Sequence, residues 1–184
     1  MITVGPVLFI IGLLMSLVAI AMGLPAIADL ATGNPDWQVF AGSAAVSLFV
    51  GVSLMLATRS TSRANLNLRQ AFLLTTMSWV AVAGVGALPF AFSELEISVA
   101  DAFFESMSGI TTTGSTVIVG LDTAPPGILL WRALLQWLGG VGIIVMAMAM
   151  LPILSVGGMQ LFRTEAFDTP DKVLPRAAQI AGGI

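Results

Sequence analysis

The sequence of 184 residues contains no cysteine and no histidine, and only 9% of its residues are charged. Without cysteine there is neither a disulfide framework nor a thiolate nucleophile, and without histidine the chain lacks the usual proton shuttle and a common metal ligand. The seven basic residues are scattered and outnumbered by ten acidic ones, so no basic face exists to neutralise a phosphate backbone. These absences argue against an enzyme and against a nucleic-acid partner.

Apolar residues make up most of the chain. They account for 57% of it, and the mean hydropathy is +0.99. A helix that crosses the hydrocarbon of a membrane needs about 20 apolar residues. Runs of about that length lie at 4–28, 37–57, 71–92 and 127–153. We therefore predict an all-α polytopic membrane protein whose surroundings are the lipid bilayer.

The first apolar run ends in Ala26-Ile27-Ala28, which resembles the small-residue cleavage site of a signal peptide. A signal peptide also has a basic start and an apolar core of about 7–15 residues, whereas no base precedes Arg59 here. We expect a retained span that forms a transmembrane hairpin with the second run. Asp29 and Asp36 fall at the polar turn of this hairpin, and we interpret them as solvated outer-loop acids.

The distribution of basic residues predicts the orientation. Three arginines and no acid lie between the second and third spans, and cytoplasmic loops carry an excess of bases. The outer turn and residues 93–122 contain acids and no base, among them Glu94, Glu96 and Asp101, which we also interpret as solvated. Four spans then place both ends of the chain in the cytoplasm. Arg132, near the outer end of the fourth span, is the exception.

Residues 98–110, between the third and fourth spans, have the pattern of a short helix. Ser98 and Asp101 have the spacing of a capping box, and apolar residues recur at helical spacing after them. About 12 residues make a helix of roughly 18 Å, whereas the hydrocarbon is roughly 30 Å thick. This helix can enter the membrane but cannot cross it, so the chain must return to the same side.

The returning segment begins with the polar run 110–116, of sequence ITTTGST. Non-helical backbone at membrane depth is tolerated where it is buried in protein or lines a water-filled cavity. Threonine favours extended backbone and Gly114 permits positive φ, so carbonyl oxygens of this run can turn toward one axis. Such oxygens replace the hydration shell of a cation in a selectivity filter. The alternative is an exposed polar loop after an interfacial helix.

The segments FESMSGITTTGST (104–116), GLD (120–122), WRALLQWLGGVGI (131–143) and GGMQL (157–161) resemble the first pore repeat of the Trk/Ktr/HKT superfamily of potassium transporters. They are most similar to Trk-type pore subunits, which carry an extra N-terminal hairpin. The resemblance implies four helix–pore loop–helix repeats around a potassium pathway, with one filter glycine in each. This chain contains one repeat. We therefore divide it into a hairpin with its cytoplasmic loop (1–68), the first pore repeat (69–160) and a cytoplasmic connector (161–184).

The resemblance also implies roles for individual residues and partners. Thr111 and Thr112 would supply carbonyl oxygens that coordinate potassium, and Thr113 and Gly114 would complete the filter strand. The complete subunit would lie in the inner membrane, form a homodimer and be regulated by a cytosolic nucleotide-binding subunit. The expected function is potassium uptake. A transporter of the same superfamily that carries sodium, and a non-conducting structural subunit, are the alternatives.

Two further features have alternative readings. Arg132 either snorkels to the outer interface or braces the pore loop by pairing with Glu105 or with filter carbonyls. The glycines of the run 139–142 either permit close helix packing, which is the favoured reading, or form a hinge.

Overall fold

The fold is described from a computed structural model, in which residues 4–59 and 67–154 are placed. All regular elements among these residues are helical, which confirms the predicted all-α class. Residues Met1–Gly140 form one compact unit, to which the contacts below belong, and α7 continues beyond it. The helices are α1 (Gly5–Ala21), α2 (Gly23–Thr32), α3 (Trp37–Thr58), α4 (Leu68–Gly86), α5 (Leu88–Phe92), α6 (Val99–Ile110) and α7 (Pro126–Leu154), with a 3-10 turn at Leu121–Thr123.

Within the described residues, four helical segments are long and apolar enough to cross a membrane: Gly5–Thr32, Trp37–Thr58, Arg69–Phe92 and Pro126–Met148. They coincide with the four predicted spans. The first and third are each broken once, at Met22 and at Ala87. Pro25 and Pro89 follow these breaks, and proline has no N–H to donate to the carbonyl four residues earlier. The interruptions therefore have a local cause in the sequence.

The predicted N-terminal hairpin is formed by α1, α2 and α3. Helices α1 and α3 cross where Gly12 and Gly51 meet, since a Cβ on Gly51 would lie 2.7 Å from the carbonyl oxygen of Gly12. Ser16 lies beside this crossing and donates its hydroxyl to the Gly12 carbonyl at 2.8 Å. Small residues at a membrane helix crossing let the two backbones approach closely.

The short helix α6 packs between α4 and α7. Its Ser106 hydroxyl lies against Gly86 of α4, where an added Cβ would come within 2.5 Å of it. On the other side Gly109 faces Leu135, and Gly139 packs so closely on the Ile110 carbonyl that an added Cβ would overlap that oxygen. The close-packing interpretation is thus confirmed for Gly139.

The interpretation of Asp29 and Asp36 as solvated acids is wrong. Asp29 belongs to α2 rather than to the turn, and the two residues are only 0% and 2% exposed. Asp36 accepts a hydrogen bond from the backbone N–H of Glu94, and Asp29 accepts one from the backbone N–H of Gly127, which explains their burial. Glu94 and Glu96 are exposed, as expected. The loop at 60–66 and the connector 161–184 lie outside the described residues, so the division into 1–68, 69–160 and 161–184 stays a prediction.

Candidate functional site

Helix α6, which we call the pore helix after its predicted role in the repeat, begins and ends as its sequence predicts. Ser98 is the N-cap, and its hydroxyl accepts from the backbone N–H of Asp101 at 3.1 Å. The helix has 12 residues and ends at Ile110, after which the N–H of Thr111 still bonds to the Met107 carbonyl at 2.9 Å. A helix C-terminus carries partial negative charge. That charge lies directly before the polar run.

Along the polar run the backbone φ angle alternates between negative and positive values, so the run is not uniformly extended. Thr111 has φ −82° and ψ 3°, Thr112 has φ 59°, and Gly114 has φ 78°. The expectation of extended threonines is therefore wrong at Thr111 and at Thr112. A positive φ is unusual for a β-branched residue and costs on the order of 1–3 kcal/mol, so the surrounding structure must impose it.

Carbonyls of the pore helix impose this conformation. The Thr112 N–H bonds to the Gly109 carbonyl at 2.9 Å, and the N–H groups of Thr113 and Gly114 share the Ser108 carbonyl at 3.0 and 3.3 Å. The Ser108 hydroxyl donates to the Ser115 carbonyl at 2.6 Å. Ser108 thus holds both sides of the loop.

Glu105 ties the outer half of the loop to α7. Its carboxylate Oε2 accepts from the Val117 N–H at 3.0 Å and from the Thr116 hydroxyl at 3.1 Å, while Oε1 accepts from Nε of Arg132 at 2.5 Å. The side chain of Glu105 is 0% exposed and that of Arg132 is 13% exposed. The pairing hypothesis for Arg132 therefore agrees with the geometry, and the snorkelling alternative does not.

The hydrogen bonds of the loop are distributed unevenly between donors and acceptors. Every N–H from Thr111 to Gly114 donates to a carbonyl of the pore helix. Within residues 4–59 and 67–154, no hydrogen bond engages the carbonyl oxygens of residues 111–114. Residues 112–114 are exposed and Thr111 is half-buried. The loop therefore presents four consecutive carbonyl groups whose lone pairs are available to a ligand.

Sequence reasoning missed two residues of this site. Ser108 follows Glu105 by three positions, which places both on one face of α6, and that spacing was the available signal. Gln136 is the second, because its side-chain nitrogen would lie 3.7 Å from a Cβ added to Gly114. Gln136 follows Arg132 by four positions on α7, so one face of α7 lines the loop.

Comparison with known proteins assigns the family. The sequence model of the TrkH family, described as cation transport protein, matches residues 36–176. The chain belongs to the TrkH family. The match includes the polar run, both residues of the Glu105–Arg132 pair and all of the second span.

Individual relatives of this TrkH-family chain carry related names. It is 42% identical over 182 residues to the Trk system potassium uptake protein TrkI of Halomonas elongata, a match that covers 96% of the chain and 36% of the relative. It is 44% identical over 175 residues to the Trk system potassium uptake protein TrkH of Escherichia coli K12, with 94% and 36% covered. The chain thus spans about a third of the length of these relatives.

A solved structure extends the similarity to three dimensions. The crystal structure of the potassium transporter TrkH from Vibrio parahaemolyticus superposes with a TM-score of 0.83 at 38% sequence identity. The superposition covers 99% of this chain and 36% of the Vibrio chain. The chain therefore has the fold of the corresponding third of this transporter.

Proposed function

We propose that this chain contributes one quarter of the selectivity filter of a potassium uptake transporter. The observation that carries the proposal is the set of four carbonyl oxygens at residues 111–114 that have no hydrogen-bond partner in the described part of the chain. The names of the relatives, which are potassium uptake proteins, support the choice of ion. The ion is cargo here and not a resident cofactor.

The residues of the loop have distinct roles in this proposal. The carbonyl groups of Thr111 and Thr112 coordinate potassium, and Thr113 and Gly114 complete the filter strand. Carbonyl oxygens replace the water that the ion loses, and several weak sites in series allow the ion to leave again. The partially negative C-terminus of α6 favours a cation at the same place.

Glu105 and Arg132 support the loop and do not touch the ion. The Glu105 carboxylate binds the N–H of Val117 and the guanidinium of Arg132, so the outer end of the filter strand is fixed to α7. A buried ion pair is a weak source of net stability, because desolvation offsets the attraction. The role of the Glu105–Arg132 pair in this proposal is to fix the position of the filter strand relative to α7.

A complete pathway requires more chain than this. One repeat encloses no pore, and the matched relatives are about three times as long. We therefore place residues 1–68 as the accessory hairpin, 69–160 as the first of four pore repeats and 161–184 as a connector toward a second repeat. We place the subunit in the inner membrane. The arginines between the second and third spans support a cytoplasmic position for both ends of this chain.

The partners proposed for the complete protein follow from the family resemblance. They are a second copy of the subunit and a cytosolic nucleotide-binding regulatory subunit. Transport through a filter needs no covalent chemistry, so no enzymatic activity is proposed.

The test compares Gly114→Ser with Gly42→Ser in the complete open reading frame that encodes this chain, expressed in cells deprived of their own potassium uptake. Gly114 has φ +78°, whereas a Cβ at Gly42 meets nothing within 4 Å. A side chain at positive φ costs about 1–2 kcal/mol, equivalent to roughly a five- to thirtyfold change in an equilibrium. We expect the rubidium-to-sodium uptake ratio to fall by that order for Gly114→Ser only.

Three outcomes separate the alternatives. The filter is supported if the unaltered protein takes up rubidium and the rubidium-to-sodium uptake ratio falls in Gly114→Ser but not in Gly42→Ser. Preference of the unaltered protein for sodium over rubidium identifies the sodium transporter of the same superfamily. Indifference of uptake to Gly114→Ser, at equal membrane abundance, supports the non-conducting structural subunit.

A further inference from the structure

Two buried acids of the N-terminal hairpin contact the pore repeat at its outer side. Asp29 lies in the last turns of α2, and its Oδ1 accepts from the backbone N–H of Gly127 at 2.6 Å. Asp36 precedes α3, and its Oδ1 accepts from the N–H of Glu94 at 3.4 Å. Gly127 lies at the start of α7 and Glu94 in the loop before α6. The hairpin thus contacts the segment before the pore helix and the segment after the filter.

Asp29 caps α7 because the local sequence cannot. The residues at the start of that helix are Pro125 and Pro126, which have neither an N–H nor a side-chain acceptor. A carboxylate near a helix N-terminus satisfies an unpaired N–H and interacts favourably with the helix dipole. A Cβ at Gly127 would overlap the Asp29 carboxylate, so glycine is the residue that permits this approach.

The start of α7 also positions the support of the filter. Arg132 follows Gly127 by about one and a half turns, roughly 7.5 Å along the axis. Arg132 pairs with Glu105, which in turn binds the Val117 N–H at the end of the filter loop. Hydrogen bonds thus connect Asp29 to the filter strand through a single rigid helix.

A second contact between the hairpin and the same part of α7 involves aromatic rings. Phe40 of α3 packs edge-on against Trp131, with ring centroids 6.3 Å apart and planes at 75°. Trp131 is fully buried and donates its indole N–H to the Gly86 carbonyl at 2.9 Å. The hairpin therefore contacts α7 at Gly127, at the start of the helix, and again at Trp131, about one turn later.

Asp29 and Asp36 carry an energetic cost that is not expected of residues whose only role is stability. Oδ2 of Asp29 and Oδ2 of Asp36 have no hydrogen-bond partner among the placed residues. A buried polar atom without a partner costs about 1–3 kcal/mol, and more where it is charged. An apolar hairpin of the same shape would avoid that cost, which indicates that the acids hold a specific geometry.

We propose that Asp29 and Asp36 are positioning residues for the filter, through which the hairpin fixes the outer ends of the pore repeat. The inference rests on the proposed transport function. Asp29 acts through α7 and Arg132, and Asp36 acts through the loop that leads into α6. Neither residue contacts the ion.

The test compares Asp29→Ala, Asp29→Asn and Gly127→Ala with Asp122→Ala, a change in an exposed acid near the start of α7. Asparagine keeps an oxygen that can accept from Gly127, whereas the alanine at position 29 removes it and the alanine at position 127 displaces it. We expect a lower rubidium-to-sodium uptake ratio, at equal membrane abundance, for Asp29→Ala and Gly127→Ala. The fall in the logarithm of this ratio is expected to be at most half as large in Asp29→Asn as in Asp29→Ala. Asp122→Ala is expected to leave the ratio unchanged.

A distance measurement separates this proposal from the proposed function. Spin labels are introduced through Val99→Cys and Val119→Cys, at positions that are 76% and 97% exposed. These 184 residues have no cysteine of their own, and any cysteine encoded elsewhere in the reading frame is replaced first. The distance distribution is expected to shift or broaden in Asp29→Ala and to keep its shape in Asp29→Asn. Absence of rubidium uptake by the unaltered protein would overturn the proposed transport function. The distance between the two labels would still test the positioning role of Asp29, because its measurement does not depend on transport. An unchanged distance in Asp29→Ala, or a reduced abundance with an unchanged uptake ratio, would overturn the positioning role.

Discussion

Replacing Glu105 with glutamine should uncouple the filter loop from α7 without emptying the space between them. The carboxylate uses both oxygens, Oε1 for Arg132 and Oε2 for the Val117 N–H and the Thr116 hydroxyl. An amide has only one oxygen, so glutamine can serve one side and must turn an NH2 group toward a donor on the other. The substitution therefore breaks one half of the network in either orientation.

The size of the effect follows from burial. Breaking a buried ion pair by removing one partner costs about 3–5 kcal/mol, and a hydrogen bond to a charged group contributes about 1.5–3 kcal/mol. The side chain of Arg132 keeps 13% exposure and some access to solvent. We therefore expect Glu105→Gln to lower the free energy of unfolding by about 2–3 kcal/mol, and Glu105→Ala, which removes both halves, by about 3–5 kcal/mol.

A double-mutant cycle with Arg132→Gln measures the coupling directly. The doubly neutral protein leaves no buried charge unpaired, so its loss should be smaller than the sum of the single losses by about 1.5–3 kcal/mol. Unfolding in an SDS titration gives the free energies, and rubidium uptake at equal membrane abundance gives the effect on transport. Glu96→Gln, a change in an exposed acid, is the control. Additivity within about 0.5 kcal/mol would refute the coupled support of the loop.

Two further predictions concern packing and pH. Gly139→Ala should destabilise the protein by about 3 kcal/mol or more, because its Cβ overlaps the Ile110 carbonyl, whereas Gly42→Ala should be neutral or slightly stabilising; equal melting temperatures would contradict this. Burial raises the pKa of Asp36 above its usual value of 3.8, as do the charges of Glu94 and Asp29, against the hydrogen bond from the Glu94 N–H. The folded state then binds more protons than the unfolded chain, so this residue adds stability as pH falls from neutral toward 3.8. Melting between pH 7 and pH 4 should show a smaller gain in Asp36→Asn.

The parts of the fold that depend on neighbouring residues are readable from the sequence. The pore helix is one, since Ser98 and the N–H that it accepts from lie three residues apart. The four spans are another, because each depends on the hydropathy of its own residues. Such signals involve no partner elsewhere in the chain.

The burial of Asp29 was not predictable in that way. Its partner Gly127 is 98 residues away, and an acid beside a polar turn usually lies in solvent. The left-handed conformation of Thr112 is similar, because the acceptors on the pore helix impose it against the preference of a β-branched residue. Arg132 had two readings of equal merit from sequence until its distance to Glu105 decided between them.

The same contacts explain how this loop can leave carbonyl groups free. A peptide segment ordinarily satisfies its N–H and C=O groups together, through a helix or a sheet ladder. Here the N–H groups of residues 111–114 bond to the Met107, Gly109 and Ser108 carbonyls of the pore helix. The Val117 N–H, further along the loop, bonds to the Glu105 carboxylate. The carbonyls of residues 111–114 have no partner among residues 4–59 and 67–154. An unpartnered carbonyl is costly in hydrocarbon and is favourable only where water or a cation takes the place of the partner. A buried carboxylate that accepts the Val117 N–H in place of a backbone carbonyl is therefore part of the support of the proposed filter, and its counter-charge on Arg132 is what allows that carboxylate to be buried.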